Sequence, residues 1–247
     1  RALAGATGRI AEMKALVGLD GAVDSIIDVV DTRGSAVEYN RIPTIGAFGE
    51  RISRAAGKST NMELVVKRVK LGGNGPILAN ALASFGLGLT TLGNLGTHGP
   101  HPVFEELSRR SRIISFADPT FTDALEFEDG KVMIGKQQNA LDVTWENMIR
   151  ALPVRDLTAL IDAADLVGLV NWSNLPGMTE IWKRLLSDVV PGLSKKSRVI
   201  FFDLAEPQKR TPADIREAFE LIAKFTPVFR VIVGLNEKES IEVAGPL

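Results

Sequence analysis

Lys70-Leu71-Gly72-Gly73-Asn74-Gly75-Pro76-Ile77-Leu78-Ala79-Asn80-Ala81-Leu82-Ala83-Ser84-Phe85-Gly86 joins a short apolar strand to an Ala-rich helix through a glycine pair. Gly72 and Gly73 have no Cβ, so backbone there can come close to a ligand. Asn74 is placed to cap the helix, and the amides of the first turn are unpaired donors suited to hydroxyls or anions. A plain glycine turn ahead of a core helix would use the same residues.

Apolar runs of strand length alternate with helical periodicity on both sides of this junction. Ala15 to Val17, Thr90 to Gly93, Leu166 to Val170, Val199 to Phe202 and Val228 to Val233 read as buried strands. Pro76 to Phe85, Val103 to Arg110, Asp156 to Ala163, Met178 to Leu186 and Pro212 to Lys224 read as helices, and Ala2 to Met13 reads as another. Such alternation predicts an α/β fold with a largely parallel, covered central sheet flanked by helices. In sheets of that kind ligands bind beyond the carboxyl ends of the strands, where the Gly and Asp residues of this chain fall. Ser25 to Tyr39 and Met62 to Leu71 instead alternate β-branched and polar residues, and Asp123 to Gly135 reads as a hairpin turning at Glu128-Asp129-Gly130. These predict a small β-sheet of their own, or antiparallel decoration at a sheet edge.

With 247 residues, 45% of them hydrophobic, the chain can bury a sizeable core. Its 29 basic and 30 acidic residues leave a net charge of −1, so no overall field recruits nucleic acid or an anionic membrane. Cysteine is absent, which excludes disulfides, thiolate metal sites and cysteine nucleophiles. Two histidines, His98 and His101, do not make a histidine-rich metal centre. No apolar run approaches the ~20 residues that span a bilayer, and the first residues carry no secretory core, so a cytoplasmic protein is expected.

Gly57-Lys58-Ser59-Thr60 invites a phosphate-loop reading, but the first glycine of that motif would stand where Ile52 does, leaving Lys58 as a surface or lid residue. Gly93 and Gly96 lack the third glycine of a dinucleotide fingerprint, which argues against a dehydrogenase. Asp20 and Asp24 both follow the first strand, where a carboxylate can accept hydrogen bonds from sugar hydroxyls or cap a turn. Asn171 and Asp203 end two later strands, so their polar groups are expected to face the same rim, unless Asn171 caps a helix or loop. Asn236 and Glu239 form an N-x-x-E after an apolar strand. One helical turn puts them on one face, as a pair ordering magnesium-bound water and phosphate or as a helix cap.

The succession Gly18-Leu19-Asp20-Gly21-Ala22-Val23-Asp24, the Gly-Gly helix with its Phe85-Gly86 exit, Gly93-Asn94-Leu95-Gly96, Phe201-Phe202-Asp203 and Asn236-Glu237-Lys238-Glu239 resembles the PfkB-type, or ribokinase-like, carbohydrate kinase family over nearly all the chain. The resemblance implies a single ribokinase-like domain over 1–247, with a β-sheet lid from about 25–39, 62–71 and 113–135. It implies transfer of the γ-phosphoryl group of ATP, with Mg²⁺, to a sugar or nucleoside hydroxyl. Asp24 suits the family's substrate-binding Asp, with Asp20 in reserve; Gly72, Gly73, Asn74, Asn171 and Asp203 complete the substrate side. Asn236 and Glu239 fall to the metal, and a homodimer through the lid is implied. Two positions depart from the family: Ile77 replaces a usual substrate-binding Asn, so that Asn74 or Asn80 must compensate, and Gly96 is followed by Thr97 and His98.

In the family, a Gly-x-Gly-Asp loop carrying the catalytic base follows N-x-x-E, and no Gly-x-Gly-Asp occurs in these 247 residues. The base is therefore expected beyond Leu247, and the chain is expected to be part of a longer kinase. A ribokinase-like protein that binds a small ligand without phosphorylating it is the alternative.

Overall fold

The computed structural model describes residues 7–194 and 196–247. Its strands are β1 (Lys14–Leu19), β2 (Ala22–Arg33), β3 (Tyr39–Arg41), β4 (Leu64–Gly72), β5 (Gly88–Gly93), β6 (Ser111–Ser115), β7 (Thr120–Phe127), β8 (Gly130–Lys136), β9 (Leu166–Leu169), β10 (Val199–Asp203) and β11 (Arg230–Gly234). Its helices are α1 (Thr7–Glu12), α2 (Ile45–Ser53), α3 (Asn74–Ser84), α4 (Glu105–Ser108), α5 (Trp145–Ala151), α6 (Val154–Ala163), α7 (Met178–Arg184), α8 (Pro212–Lys224) and α9 (Glu237–Ala244). The chain divides into two compact units: residues 1–22, 72–120 and 137–247 form the larger, and 23–71 with 121–136 the smaller.

In the larger unit a six-stranded sheet runs in the order β11-β10-β9-β1-β5-β6. Every neighbouring pair is parallel. β1 is apolar without interruption because it lies in the middle, and it buries every residue after Lys14. From β1 the chain builds outward to β5 and β6 on one side and to β9, β10 and β11 on the other. The strand order therefore reverses beside β1, the place where an open sheet leaves a crevice at its carboxyl ends. Behind the sheet an aromatic ladder fixes the helices. Trp182 meets Trp172 at 6.4 Å and Phe202 edge-on at 4.9 Å, and Phe225 continues the row from Phe202 at 5.4 Å. Such pairs each add about 0.5–1.5 kcal/mol beyond their buried area.

In the smaller unit a five-stranded sheet runs β3-β2-β7-β8, with β4 also paired to β2. Ile27, Val29, Ile42, Leu125 and Phe127 form its apolar cluster, against which Phe48 of α2 packs. The β7–β8 hairpin turns at Glu128-Asp129, with Phe127 paired to Gly130.

Several boundaries differ from the sequence expectation. Ile113 and Ile114, expected in the lid, belong to β6, the edge strand of the larger sheet paired to β5. An edge strand is half-exposed and mixes polar with β-branched residues, so it reads like a strand of the small sheet. α2 went unanticipated because Gly46 and Gly49 weaken its helical signal. The helix expected over Val103 to Arg110 is a 3₁₀ turn, Pro102–Phe104, followed by the single turn α4. Of the helix expected from Ala2 to Met13, α1 is described and residues 1–6 lie outside the described residues.

Candidate functional site

At the carboxyl ends of β1, β9 and β10 the larger unit gathers four of the expected side chains. Asp20 follows β1, Asn171 follows β9, Asp203 closes β10, and Asn74 opens α3. Asp20 Oδ2 accepts the backbone N–H of Asn74 at 2.7 Å and the side-chain Nδ2 of Asn171 at 2.8 Å. Asp20 Oδ1 accepts the backbone N–H of Gly75 at 2.7 Å. Across the site, Asp203 Oδ2 accepts Asn74 Nδ2 at 2.6 Å and the backbone N–H of Asn171 at 3.3 Å, while its Oδ1 accepts Ala205 N at 3.1 Å. Asp20, Asn74, Asp203 and Asn171 thus close a ring.

This arrangement corrects two expectations at the glycine junction. Asn74 does not cap α3: the cap position is Gly73, which has no side chain, and Asp20, 54 residues away in sequence, supplies the capping carboxylate. Nor do Gly73 and Gly75 hold space for an external ligand. A Cβ on Gly73, whose φ is +89°, would stand 2.8 Å from Asp20 Oδ2, and one on Gly75 would stand 2.9 Å from Asp20 Oδ1. The room they leave is filled by Asp20. Gly72 is buried at the end of β4, one residue before this cap.

Burial dominates the electrostatics of Asp20 and pushes its carboxyl up to about 6. The hydrogen bonds from Asn171, Gly75 and Asn74 oppose that shift, and the charge of Asp203 adds to it. Asp20 is 4% exposed, and three of the roughly four lone-pair sites of a carboxylate are taken by protein donors. Asn74 differs: with its Nδ2 on Asp203, its Oδ1 has no hydrogen bond among the described residues and is open to a hydroxyl donor.

Sequence reasoning missed the outward continuation of the ring. Asn171 adopts the left-handed conformation, φ 65° and ψ 42°, which Asn tolerates better than most residues. Its Oδ1 accepts Asn174 Nδ2 at 2.7 Å, Asn174 Oδ1 accepts Lys209 Nζ at 2.8 Å, and Lys209 pairs with Glu206. The spacing Asn171-x-x-Asn174 was the available signal. Arg210 braces the same turn: its guanidinium lies 4.9 Å over Trp172 and donates to the carbonyls of Trp172 and Leu175.

Among the described residues the remaining candidates contribute no hydrogen bond to the ring. Asp24 lies in the smaller unit, half-buried, its carboxyl pushed up by burial against the opposing influence of Lys70, the Thr122 hydroxyl and Lys131. Asn80, a possible substitute for the Asn absent at Ile77, accepts from Arg110 at 3.4 Å. His98 is exposed in its loop. Lys58 is exposed on the smaller unit, in keeping with a surface residue. Asn236 and Glu239 form a reciprocal capping box at α9, with Glu239 N donating to Asn236 Oδ1 at 2.9 Å and Asn236 N to Glu239 Oε2 at 3.0 Å. Among the described residues no cluster of three or more His, Asp or Glu side chains could hold a metal ion by itself. The capping pair fits a water-mediated role, since Mg²⁺ keeps several waters and takes one or two carboxylates beside substrate phosphates. No helix among the described residues is long and apolar enough to cross a membrane.

A model of the prokaryotic ketohexokinase family matches residues 6–245. The ketohexokinase of Haloferax volcanii is 30% identical over 229 residues, which cover 92% of this chain and 61% of that protein. The chain therefore spans about three fifths of the length of this curated relative. Among solved structures, the fructokinase of Xylella fastidiosa superposes with a TM-score of 0.59 at 12% identity, covering 94% of this chain and 64% of its own. Ribokinase from Giardia lamblia gives 0.51 at 17% identity, covering 95% and 60%. At these identities the structural likeness shows the fold alone, and that fold is ribokinase-like. With the family model running from residue 6 to 245 and a relative matched over 92% of the residues, the chain belongs to the prokaryotic ketohexokinase family.

Proposed function

We propose that the protein transfers the γ-phosphoryl group of ATP to a hydroxyl of a ketohexose. The observation that carries this reading is the ring at the carboxyl ends of β1, β9 and β10, where Asn74 Nδ2 is held by Asp203 and its Oδ1 has no hydrogen bond among the described residues. It stands on a chain whose family and Haloferax volcanii relative carry the ketohexokinase name. Asn74 and Asp203 hold sugar hydroxyls in this proposal, with Asn171 beside them. Asn236 and Glu239 order water around the metal-bound phosphates. Mg²⁺, when bound with ATP, neutralises the phosphate charge that builds during transfer. These residues otherwise bind and orient the sugar, which is most of what catalysis of phosphoryl transfer asks of a protein. A cytoplasmic location goes with such a substrate. A homodimer through the smaller sheet is supported by its exposed Leu64, Val66, Val69, Met133 and Ile134.

The test is ADP formation by the full-length protein with ATP and Mg²⁺ against D-fructose, other sugars, sugar phosphates and nucleosides. D-Fructose is expected to drive turnover, and Asn74→Ala to raise its KM by about tenfold or more, the usual loss when a hydrogen bond to a buried polar group is removed. Saturable sugar binding without ADP would instead identify a binding module on a kinase scaffold.

A further inference from the structure

We infer that Asp20 is a positioning residue of this site and not a sugar ligand: its ionised carboxylate ties the amino end of α3 to the Asn171 side chain, and so sets the orientation of Asn74 and Asn171. This rests on the proposed sugar site. Its geometric basis is the set of three short donors on one buried carboxylate, two from the first turn of α3 and one from the turn after β9. Gly73 and Gly75 let Asp20 come this close, because a Cβ at either position would lie within 3 Å of its carboxylate oxygens. Among the described residues the Asn171 amide nitrogen donates to Asp20 alone, and its Oδ1 passes the constraint to Asn174 and Lys209. Through Asn74, the same carboxylate fixes the residue whose Oδ1 is left for substrate, since Asn74 Nδ2 is already committed to Asp203.

Protonation would undo the tie. With three lone-pair sites occupied, a proton either displaces an N–H donor or takes the last site in a buried position, and the three bonds lose their charge assistance. The groups facing Asp20 are Asn74 and Gly75 of α3, Asn171 after β9 and, as a charge, Asp203 of β10. The carboxyl value of about 6 puts that change within reach of ordinary buffers.

The experiment follows the backbone amides of Asn74 and Gly75 and the side-chain amide of Asn171 by NMR from pH 5 to 8. D-Fructose affinity is measured beside it without ATP, so that no nucleotide titrates. In the wild type the three signals are expected to move together with one midpoint near 6, and fructose binding to weaken below it. Asp20→Asn removes the midpoint and lowers affinity on the order of 10²-fold, the size of a misplacement effect. Asn171→Gly keeps the left-handed backbone while removing the amide. Combined with Asp20→Asn it should add little, because both break one tie. Independent movement of the three amides, or additive losses in the double variant, overturns the inference. A joint titration with no fructose binding at any pH leaves the tie standing and removes the proposed substrate.

Discussion

Asp20 shows how a single side chain can weaken a fold while completing a site. Its carboxyl lies at about 6 in the folded chain against an ordinary value of 3.8. An acid whose pKa rises on folding holds its proton more tightly when folded, so its favourable contribution is present below the unfolded value and disappears as pH climbs through the folded one. Between pH 4 and 6 that amounts to about 1.4 kcal/mol per unit, roughly 3 kcal/mol in all. The melting temperature of Asp20→Asn minus that of the wild type should therefore rise from pH 4 to 7. Other carboxyls, such as Asp118 and Asp214, whose hydrogen bonds hold them low, cancel in the difference. Over the same window the wild-type site gains its ionised clamp. A melting difference that falls with pH would mean that the Asp20 carboxylate is stabilised by its donors more than it is penalised by burial.

At the scale of the element, caps and ligands compete for the same residues, and α9 shows the contest. Asn236 and Glu239 hold each other in a capping box, the same geometry that closes Thr211 onto Asp214 at α8. Two helices of one chain share this box, so a box alone is no sign of function. Glu239→Gln separates the two roles, because Gln at the third helical position still closes the box while the charge is lost. The helix should keep its stability, and the KM for Mg²⁺-ATP should rise on the order of tenfold if the carboxylate orders metal-bound water. An unchanged KM would reduce the pair to a cap. The same competition governs what sequence could show. α8 was legible over its full length because Thr211, Pro212 and Asp214 announce its start and its apolar residues keep the helical period. Asp20, Asn171 and Asp203 were legible as strand ends. The capping of α3 by Asp20 was not, because that bond joins residues 54 apart and leaves no local pattern. β6 and α2 were obscured in the ways their positions dictate, one by an edge strand's mixed pattern and the other by two glycines.

Across the whole molecule the two units are built on different balances of burial. The larger draws its sheet from distant parts of the chain: β1 pairs with β9 through Ala15 and Leu166, and with β5 through Ala15 and Leu89. Such non-local parallel pairing is slow to form but, once covered by helices, buries its strands on both faces. The smaller unit has one short helix over a modest apolar cluster, and β8 exposes all but Val132. Few buried apolar contacts and many solvent-facing backbone hydrogen bonds are the marks of low local stability. Native-state hydrogen exchange should therefore find β4, β7 and β8 opening at a lower free energy than β1, β5, β9 and β10, with the two groups converging only at denaturant levels that unfold the whole chain. The small-sheet amides should form one isotherm among themselves, because a hairpin and its neighbours share one apolar cluster. If they exchange instead only through global unfolding, the smaller unit has no independent opening, and the movement expected of a lid would have to be a rigid one.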